Sequence, residues 1–326
     1  EAGVSITTVS AVINDTRYVS PELTEKVNTA VEKLNYYPDQ MGRGLRKGQS
    51  NTIGLVVSDI TNPFFPRVAR GVEDCAREND YNVILCNTDE NPVEEEHYVS
   101  LLLSQRVDGV LIAPTDEGKE NINPLLDRST PIVLIDRSID DCDISSIVSD
   151  NYSGAYKAIE YLIEKGHRKI GFVGGLQGVQ STDKRYEGYK KALSDNNIDL
   201  RDEFVVRDNS QIKDSYRAMK KLWSKASGIT AIFAANNLII IGVMQYLKEN
   251  SIRYPEEISL ICFDDPQWGS AVSPGITSVS QNPYKIGYTA GRRLFGVIQG
   301  RNRDENDNQA VLSTELKKRE SVKQLN

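Results

Sequence analysis

An α/β fold is what this sequence predicts: two doubly wound parallel-sheet subdomains behind a small all-α head. Three observations carry the prediction. From about residue 52 onward, short apolar runs alternate with longer amphipathic segments, the pattern of parallel sheets with helices on both faces. There are too many such units for one small sheet, and 326 residues leave room for two domains and an appendage. Residues 2–37 form a separate piece with helix-start signals. A closed barrel is the rival, disfavoured by the head and by a break at Asp150–Gly154. The expected division is a head at 1–37, a linker at 38–51 and a core at 52–326.

In the head, Ala2-Gly3-Val4-Ser5 reads as a helix end, a glycine turn and an N-cap, Ser5 accepting from the next turn. Val9, Val12 and Ile13 then form an inward stripe, with Ile6, Thr7, Ser10 and Ala11 outward. Ser20-Pro21 starts a further helix whose inner face is Leu23, Val27, Val31 and Leu34. A short helix with small outward residues after a glycine turn is the helix-turn-helix pattern. Tyr36-Tyr37-Pro38 stops the second helix. The linker that follows places Met41 and Leu45 four apart among Arg43, Arg46 and Lys47. Gly42 and Gly44 each cost a helix about 1 kcal/mol, and so short a segment does not persist alone. DNA phosphates facing Arg43, Arg46 and Lys47 would stabilise it, with Leu45 as an apolar wedge in a minor groove.

In the core, strands are expected at Ile53–Val57, Val83–Cys86, Val110–Ala113, Ile132–Ile135, Ile170–Val173, Ala231–Ala234 and Ile258–Phe263. The helical faces between them are Val68, Val72 and Cys75/Ala76; Val99, Leu102 and Leu103; Ala155, Ile159, Leu162 and Ile163; and Val243, Tyr246 and Leu247. Ligands of open parallel sheets bind at the carboxyl ends of the strands. The residues there are Ser58, Asp59, Asn62, Phe64 and Phe65; Asn87; Asp136 and Arg137; Asp150 and Asn151; Gly174 and Gly175; Asn236 and Asn237; and Asp264, Asp265 and Trp268. Carboxylates, amides and guanidinium groups suit bidentate hydrogen bonding to vicinal hydroxyls, and aromatic rings cover the apolar face of a sugar. Taken singly, each Asn or Asp also reads as a helix cap; taken together they read as a polar small-molecule cleft.

Other chemistries find little material. A net charge of −7 argues against a uniformly basic nucleic-acid coat, although residues 1–51 are balanced at six basic and six acidic groups. Cys75, Cys86, Cys142 and Cys262 are scattered, so no zinc site and no disulfide framework is expected. His97 and His167 both read as surface residues, which leaves no basis for a Ser-His-Asp or Cys-His enzyme. The glycines at 171, 174, 175 and 178 do not have dinucleotide or P-loop spacing. No membrane span or export signal is read, and with dispersed thiols this predicts a cytoplasmic protein.

Several stretches then carry a resemblance: "EAGVSITTVSAVIN", "VSPELTEKV", "LNYYPDQMGRGL", "IGLVVSDITNPFF", "QRVDGVLI", "GHRKIGFVGG", "STDKRYEGY" and "SLICFDDPQW". In this order and spacing, over essentially the whole chain, they resemble a LacI/GalR-family bacterial transcriptional regulator. The resemblance implies a repressor with no enzymatic activity. It would bind palindromic operator DNA as a homodimer or a dimer of dimers, and its periplasmic-binding-protein-like core would take a small effector and no other cofactor or metal. It implies an N-subdomain at 52–151 plus 283–310 and a C-subdomain at 152–281 plus 311–326.

By position, Ile6, Thr7 and Ala11 fall where the family reads bases, with Ser5 and Ser10 beside them, and Leu45 falls on the hinge wedge flanked by Arg43 and Arg46. Asp59, Phe64, Phe65, Asp136, Ser181, Arg185, Asn236, Asp264 and Gln281 fall on effector-lining positions, to which the strand-end reading adds Arg137 and Trp268. The family's first helix would end near Ala2 and is expected upstream, and Gly42 and Gly44 predict a labile hinge. Asn237 stands where the family often has Asp. Asp59, Asp136 and Asp264 favour a neutral polyol; Arg137, Arg185 and Asn237 favour a carboxylate, and the expectation leans to a sugar acid. The polar cleft walls, Arg185 included, are expected to carry little packing energy. The alternative is a sugar-binding protein of a transport system with no DNA-binding role.

Overall fold

The computed structural model describes residues 1–36, 49–115, 118–139, 142–301 and 308–325. The chain divides into two compact units, Glu1–Ser50 and Asn51–Asn326.

In the first unit, α1 (Ile6–Asn14) starts at Ser5, whose hydroxyl accepts from the Thr8 amide at 3.1 Å. It ends at Asp15 in the left-handed region. The second helix, α2 (Pro21–Lys33), has Pro21 in its first turn and a Glu22–Lys26 pair on its surface. Two expectations fail here. Ala11 is inward, only 3% exposed, whereas Val9, Val12 and Ile13 are half-buried; a side chain as small as a methyl is what sits deepest where α1 packs on α2. Leu34 caps α2 rather than continuing its face and is 56% exposed. Ile6 is 88% exposed and Thr7 is exposed as well.

The second unit contains two six-stranded sheets of matching design. Strands β1 (Thr52–Val57), β2 (Asn82–Asn87), β3 (Gly109–Ile112), β4 (Ile132–Ile135) and β5 (Ser146–Ser149) are joined by β11 (Gln309–Leu312) in the order β11-β5-β4-β3-β1-β2, all parallel. Strands β6 (Ile170–Gly174), β7 (Val205–Arg207), β8 (Ala231–Ala234), β9 (Ser259–Phe263) and β10 (Thr277–Ser280) are joined by β12 (Glu315–Lys317) in the order β12-β10-β9-β8-β6-β7. Only β12 runs antiparallel there. Each sheet is the doubly wound arrangement with its order reversing beside the first strand, so each has a switch point where a crevice opens. All the strands expected from the apolar runs are present.

The chain passes between the sheets three times. Helix α10 (Pro283–Ile298) returns to pack on α3 (Phe64–Glu78), β11 completes the first sheet and β12 the second. The expected boundary at 310/311 therefore falls inside β11; a strand cannot be divided between two sheets, and the crossing lies between Leu312 and Glu315. α3 and α10 approach through glycine. A methyl at Gly287 would lie 2.0 Å from the Val68 carbonyl oxygen, and one at Gly71 would lie 2.2 Å from that of Tyr284.

His167 is fully buried, not a surface residue. Its Nδ1 lies 2.9 Å from Thr230 Oγ1 and its Nε2 3.2 Å from the Lys323 carbonyl. Burial pulls its pKa below the ordinary histidine value. Cys75 and Cys86 are core residues whose thiols burial pushes up to about 11, so both stay protonated and inert at neutral pH. No helix among the described residues is long and apolar enough to cross a membrane.

Candidate functional site: the cleft between the two sheets

The carboxyl ends of both sheets face one cavity of about 310 Å³. After β1, Asp59 Oδ1 accepts from the amide and hydroxyl of Thr61, at 2.8 and 2.6 Å. Asn62 Oδ1 then accepts from the Phe64 amide at 3.0 Å and starts α3. This places Phe64 and Phe65 at the cavity wall, their rings edge-on at 5.1 Å. Asp136 follows β4 and Asp264 follows β9, equivalent strands in the two sheets, and both adopt a left-handed backbone, with φ of 65° and 72°. For a non-glycine residue that conformation costs on the order of 1–3 kcal/mol and persists only where the surroundings hold it. The two strained carboxylates thus occupy matching positions on the two sides of the cavity.

Arg137 and Arg185 are both buried here, at 5% exposure each, and they differ in what they have left to give. All five N–H groups of Arg137 are used inside the protein. Nη1 donates to Glu90 Oε2 at 2.7 Å and to the Pro114 carbonyl at 2.9 Å. Nη2 donates to Glu90 Oε1 and to Ser58 Oγ, and Nε to Asp136 Oδ2 at 3.4 Å. Burial opposes the Arg137 charge, but the Glu90 and Asp136 carboxylates outweigh it and hold the proton more tightly than in an ordinary arginine. Burial likewise works against the Glu90 charge, and the guanidinium overcomes it and lowers the Glu90 pKa. For Asp136 burial wins over the attraction of Arg137, and its pKa is raised.

Arg185, on α7 (Gln180–Asp195), lies over the Phe263 ring, with its guanidinium carbon 3.9 Å from the ring centroid. Nε donates to Asn151 Oδ1 at 2.8 Å and Nη1 to the Ala235 carbonyl at 2.7 Å. Its other three N–H groups have no acceptor among the described residues. Burial lowers its pKa from the ordinary arginine value.

Asp264 accepts from Gln281 Nε2 and from the Asn237 amide. The acceptors Gln281 Oε1 and Asn237 Oδ1, both buried, have no donor among the described residues. Asn236 does what the capping reading expects, its Oδ1 accepting from Leu238 and Ile239 at 3.0 and 2.8 Å; its amide nitrogen is left for the cavity.

Three links tie the walls together: Gln211 Nε2 to Asp59 Oδ2 at 3.1 Å, Asn237 Nδ2 to Asn62 Oδ1 at 3.3 Å, and Gln180 to the amide and hydroxyl of Ser138 at 2.8 and 2.7 Å. The structure brings together Asp59, Phe64, Phe65, Asp136, Arg137, Ser181, Arg185, Asn236, Asp264 and Gln281. Trp268 is not among them. It lies on the short turn Gln267–Ser270 behind Pro266 and lines a neighbouring hollow of about 390 Å³ instead.

Sequence reasoning missed Glu90 and Gln211. Glu90 stands just past the end of β2, where the strand-end reading stopped at Asn87. Gln211 follows β7, a three-residue strand with no apolar run to mark it. In the head, Ser5, Ile6 and Thr7 are exposed, Ser10 is half-buried and Ala11 is buried. Arg43, Leu45 and Arg46 lie outside the described residues.

A two-sheet core enclosing a polar cavity, in one chain with a helix-turn-helix head, defines a ligand-responsive regulator. Residues 1–39 match the family described as bacterial regulatory proteins, lacI family, and residues 159–322 match the periplasmic binding protein-like domain. The HTH-type transcriptional repressor PurR of Vibrio atlanticus is 35% identical, over 100% of this chain and 97% of that protein. The structure of the lac repressor dimer bound to operator and the anti-inducer ONPF is similar at a TM-score of 0.86 and 26% identity, covering 99% of this chain and 96% of that one. That of a CelR–cellobiose complex is similar at 0.76 and 28%, covering 98% and 97%. The chain belongs to the LacI family: it is a transcriptional repressor with an effector-binding core, not an enzyme.

Proposed function

We propose that this repressor binds a palindromic operator as a homodimer and that a neutral sugar in the cleft controls that binding. The observation that carries the choice of ligand is the contrast between the two arginines. Arg137 has spent every donor on the protein, whereas Arg185 has three to offer. Among the described residues, Asp59, Asp89, Glu90, Asp136 and Asp264 face the cavity against only these two cations. A carboxylate on the ligand would add to that excess of negative charge with one arginine to receive it. Hydroxyls instead donate to Asp136 and Asp264 and accept from Arg185, while Phe64 and Phe65 cover a ring face. The expectation of a sugar acid counts Arg137 together with Arg185 and Asn237; with the Arg137 donors occupied inside the protein, that count loses one of its two cations and a neutral sugar fits better. The cellobiose bound to the similar CelR supports a sugar.

The similar lac repressor structure, a dimer on its operator, supports the dimer. A two-fold dimer presents one head to each half-site, with Ile6 and Thr7 exposed for contacts to thymine methyls. A protein acting on the chromosome works in the cytoplasm. Selection of duplexes from a random DNA pool by the full chain is expected to return an inverted repeat with an easily kinked central step. Leu45→Ala should weaken binding to that duplex at least about tenfold, roughly 1.4 kcal/mol. Absence of any selected sequence, with sugar binding retained, would favour the transport reading. Sedimentation of the chain alone and with the duplex separates a dimer from a dimer of dimers.

A further inference from the structure

We infer that Glu90 is the specificity determinant of the cleft: an internal carboxylate that occupies the bidentate face of Arg137 and thereby excludes anionic ligands. The inference rests on the cleft being the effector site and names the device that makes it select neutral molecules.

Arg137 offers the geometry that proteins use for carboxylates and phosphates, a planar fork buried in a polar cavity. Left open, it would give an anion a second buried cation with two N–H groups, beside the three that Arg185 has to offer. Glu90 fills that fork with both of its oxygens.

The delivery of Glu90 is specific. Asp89 and Glu90 are consecutive non-glycine residues in the left-handed region, at φ 50° and 59°, and this turn is tied down at several points. Asn87 Nδ2 donates to Asp89 Oδ1 at 2.7 Å, the Glu90 amide to the Ser58 carbonyl at 3.0 Å, and the Asn91 amide to the Thr88 carbonyl at 2.9 Å. The other contacts of Arg137, with Pro114, Ser58 and Asp136, hold the guanidinium in place without Glu90. The Glu90 side chain is 31% exposed, against 7% for that of Arg137, so Glu90 forms the open side of the pair, the side from which a ligand arrives. Glu90→Gln removes the charge and keeps only one acceptor oxygen, so the two N–H groups that Glu90 holds can no longer both be satisfied by it, and the buried fork is left with an unpaired donor and no internal anion.

The test uses anions of known identity and needs no knowledge of the effector. Full-length wild type, Glu90→Gln and the double variant Glu90→Gln/Arg137→Gln are titrated with inorganic phosphate and with acetate against chloride of equal ionic strength, following melting and calorimetric binding. Glu90→Gln is expected to bind phosphate at least tenfold more tightly than wild type, with the gain falling as salt rises and vanishing in the double variant. A folded Glu90→Gln that responds to phosphate no more than wild type overturns the inference, as does a gain that survives loss of Arg137. Should Glu90→Gln not fold in chloride, it is refolded in phosphate. Recovery there alone supports the inference, and recovery in neither overturns it. A separate sugar titration of wild type keeps the two readings apart. Failure of every sugar with a phosphate gain in Glu90→Gln removes the proposed effector class, not the role of Glu90.

Discussion

Gly287→Ala is expected to lose about 3 kcal/mol or more of stability, among the largest effects of any single methyl in this protein. The added carbon would sit 2.0 Å from the Val68 carbonyl oxygen and 2.9 Å from its carbon, and neither backbone atom can swing aside as a side-chain tip could. Relief requires α3 and α10 to separate, and that pair closes one face of the first sheet over Val68, Val72, Ile286, Ala290 and Leu294. The urea midpoint of the full chain measures the loss. Gly296→Ala is the control on the same helix, since nothing lies within 4 Å of its added methyl; helix propensity then predicts no loss, or a gain of up to about 1 kcal/mol. Equal midpoints for the two variants would mean that the helices are not in backbone contact.

Arg185→Ala is expected to abolish most effector binding and to destabilise the core as well. A ligand hydroxyl or ring oxygen that loses a charged donor costs about 1.5–3 kcal/mol, roughly ten- to a hundredfold in affinity. The stability loss follows from the internal contacts of Arg185 and reverses the expectation that cleft walls carry little packing energy. Truncation strips the donor from the Ala235 carbonyl and from Asn151 Oδ1, and it uncovers the face of Phe263. Each buried acceptor left without a donor costs about 1–3 kcal/mol, less where water enters the cavity. Affinity is read by calorimetry and stability by melting. A variant that melts like wild type would show that Arg185 faces the ligand alone.

Much of the fold was legible because its central strands are continuous apolar runs, and these need no tertiary information to be seen. The strands that were missed fail that criterion for a physical reason. β5 reads Ser-Ile-Val-Ser and β10 Thr-Ser-Val-Ser, yet most of their residues are buried; the Ser146 amide donates to the Asn308 carbonyl, and the Thr277 hydroxyl donates to the Arg319 carbonyl at 3.0 Å. Polarity in the sequence therefore hid burial in the structure. The same blindness applies to His167, whose polar neighbours in sequence suggest solvent while Thr230 and Lys323, distant in the chain, bury it. In the head, Ala11 was assigned outward by helical spacing, but which face is inner is decided by the packing of α1 on α2. The cleft residues at the ends of β1, β4, β8 and β9 could be found from strand ends alone. The state of each group could not: Arg137 and Arg185 are the same residue type at adjacent places in one cavity, and only the approach of Glu90 from the end of β2 shows that one is satisfied and the other is not.

The central claim is that a neutral, hydroxyl-rich ligand fits this cleft and an acidic one does not. The most direct measurement is the melting temperature of the wild-type full chain across matched pairs, each an aldose and its aldonic or uronic acid, with purines and sugar phosphates alongside, at several salt concentrations. The account predicts a concentration-dependent rise with at least one neutral sugar, little changed by salt, and none with its acid. Stabilisation by the acid but not the aldose, weakening as salt rises, or by a purine alone, would contradict it.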